Sequence, residues 1–352
     1  MELTRRLGVT VRGVRVALAL RAIAVLVACG GDAGDDAGRD AAAATGSVGA
    51  VAVGERGGII ELVDGAWHAR DRLVDGELNA VTLLAGGVAY AAGSGHVLRR
   101  DVDGTWASIT APPGTVTALA SSGDAHVVAG TSDGGIYALE GDAWVSMDSP
   151  LEGVGWINDV ALAGSSSGLA VGGTNAATPG GVVLVRDGAA WRVLREGRER
   201  PFNKVATPAP SLGFLGGYSD FIAGEPLNLT TWSDDQWTPV SVDLWRRFVT
   251  AIDAPRPDHA LAFTDGGGTP QSGGGGVILA WNGATWRVLG AAADLIGAPK
   301  AFFGGCTSSE SFAVAVGPGP VVATYDGAAW RAADTTAFAE RIPTLHAVAC
   351  GR

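Results

Sequence analysis

Charged residues are few in this sequence, and most of them are acidic. Only 17% of the 352 residues are Asp, Glu, Lys or Arg, lysine occurs only twice, and the formal net charge is -11. An acidic protein of this kind does not bind the phosphate backbone of a nucleic acid or an anionic lipid surface by charge. The composition therefore predicts no nucleic-acid partner.

Residues that commonly carry catalysis or hold metals are also scarce. The five histidines and three cysteines are scattered, without the spacing of a metal site. No Gly-x-Ser-x-Gly turn occurs, and the glycine runs at 266–268 and 273–276 lack the Lys-Ser/Thr of a phosphate-binding loop. The sequence predicts that the protein is not an enzyme and has no metal or cofactor.

Long apolar segments are missing after the N-terminus, where about 18 apolar residues would indicate a membrane helix. Residues 1–28 combine a basic region with an apolar stretch, as in a secretory signal peptide. At the end of this segment, Leu26-Val27-Ala28 and the next residue Cys29 resemble the lipobox of bacterial lipoproteins. That resemblance implies cleavage before Cys29 and attachment of lipid to its thiol; Gly30 after the cysteine favours the outer membrane by the same analogy. The alternatives are an ordinary signal peptide or an apolar helix that contains a cysteine.

Residues 29–47 are rich in Gly, Ala and Asp and offer little to bury, so we expect a flexible tether. The predicted organisation is a lipoprotein signal peptide at 1–28, the tether at 29–47 and a folded domain at 48–352. The predicted location is outside the cytoplasm, with the domain anchored by lipid to a bacterial membrane.

A repeated unit organises the folded domain. In each unit a tight turn such as Asp187-Gly188 is followed within a few residues by a tryptophan. Asp-Gly favours a two-residue hairpin, because both central residues of a type I′ turn have positive φ. The unit tryptophans are Trp67, Trp106, Trp144, Trp191, Trp237, Trp286 and Trp330. A period of about 45 residues with four short strands is typical of a β-propeller.

The first unit lacks an innermost strand, and the segment 345–350 is an innermost strand with no unit after it. We therefore predict an all-β, seven-bladed β-propeller whose first blade is completed by the C-terminal strand. Closure of this kind leaves no open sheet edge. The unit tryptophans are expected to pack between adjacent blades rather than to form a sugar-binding platform, because they recur at one position in every unit.

Cys306 and Cys350 fall on innermost strands of blades that become neighbours when the ring closes. The repeat alignment places Cys306 at the position of Val348, with Cys350 two residues further along and so on the same strand face. A location outside the cytoplasm would permit a disulfide between them, and two buried free thiols are the alternative.

The repeat resembles bacterial lipoprotein propellers built from Ala-Val-Gly and Asp-Gly-x-x-Trp elements. Residues 50–59 and 312–317 carry the first element. The resemblance implies location and architecture rather than an activity. The architecture is also loosely similar to that of kelch propellers and of Asp-box (BNR) propellers such as sialidases. Gly283, Thr285 and Trp286 match the Asp box, but Trp281 occupies the position of its Asp.

The predicted loops point to one sector for partner binding. The loops between second and third strands lengthen in three consecutive units, at 174–180, 218–226 and 264–275, and the connections beside them are charged, including Arg195 and Glu196. Unequal loops gathered on one side of a rigid scaffold commonly carry recognition. The candidate partner-binding residues are Trp245, Arg246, Arg247, Arg198, Arg200, Asp220 and Glu225. The predicted function is a binding or scaffolding module for a protein or glycan partner; the alternative is a lectin or a degenerate glycosidase.

Overall fold

The computed structural model describes residues 47–123, 126–175, 180–197, 201–217, 229–240, 242, 247–267, 275–298 and 300–352. In these residues 28 strands form seven antiparallel sheets of four strands each, which we call blades 1 to 7. The innermost strands of successive blades contact one another in cyclic order, so the blades close into a ring. The predicted all-β, seven-bladed β-propeller is confirmed.

The strands are given from the innermost outward, as strands a to d of each blade. Blade 1 contains β28 (Leu345–Cys350), β1 (Val48–Gly54), β2 (Ile59–Val63) and β3 (Ala66–Ala69). Blade 2 contains β4 (Ala80–Leu83), β5 (Ala89–Gly93), β6 (His96–Arg100) and β7 (Trp106–Ile109). Blade 3 contains β8 (Val116–Ser122), β9 (His126–Thr131), β10 (Ile136–Glu140) and β11 (Ala143–Ser146). Blade 4 contains β12 (Gly155–Leu162), β13 (Ser167–Thr174), β14 (Gly181–Asp187) and β15 (Ala190–Gly197). Blade 5 contains β16 (Phe202–Ala209), β17 (Leu212–Gly217), β18 (Leu229–Ser233) and β19 (Gln236–Pro239). Blade 6 contains β20 (Val249–Arg256), β21 (His259–Thr264), β22 (Val277–Trp281) and β23 (Trp286–Ala291). Blade 7 contains β24 (Gly304–Ser309), β25 (Phe312–Gly317), β26 (Val321–Tyr325) and β27 (Trp330–Ala332).

Blade 1 is built from both ends of the domain. The C-terminal strand β28 lies antiparallel to β1, with Ala50 opposite Cys350 and Val53 opposite Ala347. The prediction that the last strand completes the first blade is confirmed. The main-chain groups of β1 are thereby paired on both sides, so no open edge remains at the junction.

The tight turns have the backbone that the repeat predicts. Both central residues of Asp64-Gly65 and of Asp234-Asp235 have positive φ, between 46° and 83°. Glycine and aspartate tolerate this conformation better than most residues, and it matches the twist of the strands on either side. The turns therefore return each third strand directly into the outermost strand that carries the unit tryptophan.

The hydrophobic core is divided among the seven interfaces between blades. In β1, Ala50 and Ala52 face blade 7, whereas Val51 and Val53 face blade 2. Each unit tryptophan packs into the cluster between its own blade and the preceding one; Trp191, for example, lies between blades 4 and 3. The predicted packing role of the tryptophans is confirmed. Glycines keep these interfaces close, since a Cβ on Gly130 would lie 2.5 Å from the Ile157 side chain.

Two segments differ from the prediction. Arg195 and Glu196 were predicted to lie in the connection after blade 4, but β15 continues to Gly197, so both residues belong to the strand. A register shift between Val183 and Leu184 explains the difference, because pairing resumes after the irregularity. A five-residue helix, α1 (Ala292–Ile296), was not predicted. Among the described residues no helix is long and apolar enough to cross a membrane.

Candidate functional site

The two ends of the ring differ in what they carry. Each innermost strand begins at the end that bears the d-to-a and b-to-c connections, which we call the loop face. It finishes at the end that bears the a-to-b and c-to-d turns, which we call the turn face. The innermost strands surround a central channel with a cavity of about 480 Å³. The described strand ends that flank the long loops of the sequence prediction lie at the loop face.

β-Bulges lie near the loop-face start of the innermost strands. The register shifts in five blades, at His346, Thr117, Asn158, Asn203 and Thr250. An extra residue in a strand redirects its side chain out of the regular alternation. Polar side chains are thereby placed around the loop-face mouth of the channel.

Three of these polar side chains join neighbouring blades. The Thr117 hydroxyl donates to the Ile157 carbonyl at 2.7 Å, and the Asn158 amide donates to the Phe202 carbonyl at 2.9 Å. The Thr250 hydroxyl donates to the Phe302 carbonyl at 2.7 Å. Each bond satisfies a carbonyl near the channel and fixes the spacing of two blades, so this mouth is a rigid rim.

A carboxylate and an ammonium group line the channel just inside this rim. Asp159 follows the bulge of blade 4, and Lys204 follows the bulge of blade 5. The Asp159 carboxylate accepts hydrogen bonds from the main-chain amides of Val160 at 3.1 Å and Val205 at 3.0 Å. Burial raises the pKa of Asp159, and the Lys204 charge and the two amides offset only part of that effect.

Lys204 has a counter-charge in Asp159, whose pKa it acts to lower, rather than a direct contact. No hydrogen bond or ion pair of its ammonium group occurs among the described residues. Arg352, by contrast, is paired with Asp253. The other Asp253 oxygen accepts from the Thr307 amide at 2.9 Å. Among the described residues that line the channel, Lys204 and Asp159 thus form a pair of opposite charges without a direct hydrogen bond or ion pair between them.

A disulfide joins Cys306 to Cys350, with a Cα–Cα distance of 5.6 Å. The predicted alignment of these residues was wrong by one position. Cys306 pairs with Val314 in blade 7, and Ala349 pairs with Val51 in blade 1. Val314 and Val51 hold the same place in the Ala-Val-Gly element. Cys306 thus corresponds to Ala349, and Cys350 is the next residue, on the opposite strand face. Successive blades stack front to back, so residues on opposite faces meet, as Cys306 and Cys350 do.

A second buried cluster joins blades 1 and 2. Glu61 is fully buried and accepts hydrogen bonds from Arg70 at 2.6 Å, Arg100 at 2.9 Å and the Trp106 indole at 2.6 Å. Burial acts to raise the pKa of Glu61, but these donors outweigh it, so the pKa lies below the ordinary value. The cluster does not line the channel cavity, and Arg100 also donates to the carbonyls of Gly87 and Asp101, so we assign it to structure.

Most of the predicted partner-binding residues lie outside the described residues. These are Arg198, Arg200, Asp220, Glu225, Trp245 and Arg246. The predicted lipidation site Cys29 also lies outside the described residues. Arg247 is described: its guanidinium donates to the carbonyls of Asp265, at 3.2 Å, and Gly275. Burial lowers the pKa of Arg247. Arg247 thus ties the connection before blade 6 to the b-to-c loop of the same blade, and its predicted partner-binding role stays a prediction.

The sequence analysis did not single out Asp159 or Lys204. Both look like ordinary strand residues in the repeat, and their place in the channel depends on the bulges before them. The one available signal was composition, since Lys204 is one of only two lysines among the 352 residues. Among the described residues, no group of three or more His, Cys, Asp or Glu side chains could hold a metal ion.

Several solved structures share this architecture. The structure titled "YCF48 bound to D1 peptide" matches with a TM-score of 0.57 and 16% identity, over 78% of this chain and 87% of that one. YCF48 from Cyanidioschyzon merolae matches with a TM-score of 0.53 and 15% identity, over 80% and 89%. A chain of the Mitotic Checkpoint Complex matches with a TM-score of 0.56 and 14% identity, over 76% and 82%. At these identities the likeness shows the fold alone.

No protein-family model matches the sequence, and no curated protein matches it either.

Proposed function

We propose that this propeller is a non-catalytic binding or scaffolding module that captures a protein partner on the loop face of blades 4 to 6. The observation that carries the proposal is its similarity, over most of both chains, to a propeller solved with a bound peptide. The strands that flank the predicted b-to-c loops of blades 4 to 6 meet those loops at the loop face. Variable loops on a rigid ring are a common arrangement for recognition.

The rigidity of the loop-face mouth supports this proposal. The bonds from Thr117, Asn158 and Thr250 join successive blades around the channel. A scaffold that is already ordered loses little conformational entropy when a partner binds, which favours affinity. The loops can therefore vary in sequence and length without loss of the frame that positions them.

We further propose that the protein is lipid-anchored through Cys29 outside the cytoplasm, in the outer membrane. The Cys306–Cys350 disulfide supports this location, because such bonds persist mainly in oxidising compartments. The described chain starts at Ser47 on the turn face, where the Gly351 amide donates to the Gly49 carbonyl at 2.9 Å.

The binding proposal is tested with a variant of the candidate contact residues. The double substitution Trp245→Ala and Arg246→Ala in the full chain should abolish capture of the partner from a cell-envelope extract while leaving thermal unfolding unchanged. Arg247 is kept, because its guanidinium holds the main chain of a loop. The matched control is Arg331→Ala, an exposed arginine on β27 whose side chain is 71% exposed.

Undiminished capture by the double variant would contradict the proposed site. A glycan array and a panel of fluorogenic glycosides test the lectin and glycosidase alternatives, and saturable binding or turnover there would contradict a protein-binding function.

The anchor is tested separately with Cys29→Ala, which should move the protein from the membrane fraction to the soluble fraction. Unchanged membrane association would contradict the lipid anchor.

A further inference from the structure

We propose that the contact between His126 and Arg186 is a pH-sensitive latch, which holds the turn-face end of the interface between blades 3 and 4 closed at neutral pH and releases it in acid. His126 begins β9, the second strand of blade 3, and Arg186 lies near the end of β14, the third strand of blade 4. Both residues are therefore at the turn face. The partner surface proposed above is on the loop face, so the latch does not depend on that proposal.

The pair lies at one end of the hydrophobic core between these two blades. Val128, two residues after His126, and Leu184, two residues before Arg186, both belong to the cluster that joins blades 3 and 4. Alternate residues of a strand share a face, so His126 is directed towards blade 4 and Arg186 towards blade 3. Arg186 is only 7% exposed although it is charged. The contact thus completes the buried interface at the turn face.

Only neutral His126 can make this contact. Nη1 of Arg186 and Nε2 of His126 are 2.7 Å apart. A guanidinium has N–H donors and no acceptor, so Arg186 donates and the imidazole Nε2 accepts. The imidazole is then neutral, with its proton on Nδ1. Protonation of Nε2 would remove the acceptor and place two cations in contact, where they repel each other.

Arg186 has no counter-charge that would accommodate a second cation beside it. Its Nε donates to the Gly188 carbonyl at 2.9 Å. Burial lowers the pKa of Arg186, and no opposite charge among the described residues opposes that effect. A guanidinium nevertheless keeps its proton throughout the pH range in which histidines titrate. His126 is therefore the group of the pair that changes charge.

The strands around His126 carry few other charges. β9 lies between β8 and β10 in its blade, and it packs against β12 of blade 4. The other titratable residues of β8, β10, β12 and β14 are Tyr137, Glu140, Asp159 and Asp187, and Asp124, two residues before His126, lies outside the described residues. Burial, and then the Arg186 charge, lower the pKa of His126, and Glu140 offsets only part of this effect.

The sign of the pH dependence follows from this lowered pKa. Because the pKa of His126 is lower in the folded protein than in the unfolded chain, its contribution to stability is fully present above the ordinary histidine pKa of 6.5. That contribution is lost as the pH falls through the folded pKa. Between these two values one bound proton separates the unfolded chain from the folded protein, so the folding equilibrium constant falls by up to about tenfold for each pH unit.

The test compares the full chain with His126→Gln, because a glutamine oxygen accepts from Arg186 at any pH. In chemical denaturation between about pH 7.5 and about pH 5, the wild type should lose stability relative to this variant. The matched control is His68→Gln, which replaces an exposed histidine on β3 and should keep the pH profile of the wild type. Asp124→Asn should also retain the pH-dependent difference between His126 and glutamine.

Imidazole NMR of the wild type tests the contact directly and does not require a variant to fold. The His126 signal, assigned by its absence in His126→Gln or by resonance connectivity, should titrate below the ordinary value of 6.5. At neutral pH its Nε2 should have the ¹⁵N shift of an unprotonated ring nitrogen. In Arg186→Gln the pKa of His126 should rise, because the neighbouring positive charge is gone.

Hydrogen exchange, corrected for the intrinsic effect of pH, tests release of the latch. In the wild type the amides of β9 and β14 should lose protection between about pH 7.5 and about pH 5, and in His126→Gln they should keep it. β17, which has no titratable side chain, is the internal reference and should stay protected in both proteins.

A His126 signal that titrates at 6.5 or above, or an Nε2 that carries the proton at neutral pH, would overturn the contact. Identical pH profiles of unfolding for the wild type and His126→Gln would overturn its pH sensitivity, and so would loss of the difference in Asp124→Asn, which would assign it to that carboxylate. Loss of protection that is as large in β17 as in β9 and β14 would overturn a local latch between blades 3 and 4.

Discussion

Cys306 and Cys350 join the innermost strand of the last blade to the innermost strand of the first, with their Cα atoms 5.6 Å apart. The two cysteines are 44 residues apart in sequence, and both are buried in the cluster between blades 7 and 1. The strand that closes the ring is thereby held by main-chain hydrogen bonds to β1 within blade 1 and by a covalent bond to blade 7.

Removal of this disulfide should destabilise the closed ring. For a loop of 44 residues the chain-entropy estimate is about 4 kcal/mol, and native disulfides commonly contribute about 2 to 5 kcal/mol. We expect Cys306→Ala/Cys350→Ala to lower the free energy of unfolding by that amount in guanidinium titrations. Added reductant should lower the midpoint of the wild type and leave the double variant unchanged. A wild-type midpoint that is insensitive to complete reduction would contradict this role.

Substitution of Glu61 should be costly, because Arg100 would then be a buried charge without its counter-ion. Loss of one partner of a buried pair commonly costs about 3 to 5 kcal/mol. We expect a loss of that size for Glu61→Gln at neutral pH, measured by chemical denaturation. The matched control is Arg72→Ala in the exposed Arg72–Asp75 pair, where the change should stay below about 1 kcal/mol. Equal effects of the two substitutions would show that the buried cluster adds nothing.

The same carboxylate should make stability depend on pH. Because the pKa of Glu61 is lower in the folded protein than in the unfolded chain, its contribution is fully present above the ordinary glutamate pKa of 4.5. That contribution is lost as the pH falls through the folded pKa. We expect the stability difference between wild type and Glu61→Gln to shrink below pH 4.5, in denaturation curves recorded at several pH values. A difference that stays constant down to acid unfolding would contradict the assigned pKa direction.

Two unit tryptophans should respond differently to replacement by phenylalanine. The Trp106 indole donates to Glu61 at 2.6 Å, whereas the buried Trp191 indole nitrogen has no hydrogen-bond partner within the described part of the chain. A hydrogen bond to a charged group contributes about 1.5 to 3 kcal/mol, and removal of an unsatisfied polar group relieves a cost. We therefore expect Trp106→Phe to destabilise the protein more than Trp191→Phe in denaturation experiments, although Trp191 is only 4% exposed. The reverse order would contradict these contacts.

The architecture could be predicted because it depends on features that recur. Turns such as Asp64-Gly65 need positive φ, which few residue types accept, and each is followed by a large side chain that must be buried. The unpaired strand at 345–350 and the incomplete first unit then determine how the ring closes. Repetition makes each of these local signals stronger, since seven units must satisfy the same packing.

The channel could not be predicted in the same way, because it depends on bulges. A bulge inserts one residue and reverses the alternation of side chains after it, so a regular pattern assigns them to the wrong face. The bulges at Asn158 and Asn203 place Asp159 and Lys204 in the channel. In β15 the pairing likewise skips Leu194, and the strand continues through Arg195 and Glu196, which were predicted to lie in a connection.

The closed ring itself is tested most directly by removal of the strand that closes it. A chain that ends at Ile342 lacks β28, so β1 loses its inner partner and the cluster between blades 7 and 1 loses Leu345, Val348 and Cys350. The matched control ends at Cys350 and lacks only Gly351 and Arg352. In thermal unfolding followed by calorimetry, the control should melt in one sharp transition, and the chain that ends at Ile342 should lose that cooperative transition. A chain ending at Ile342 that melts as sharply as the control, and at the same temperature, would contradict closure by the C-terminal strand.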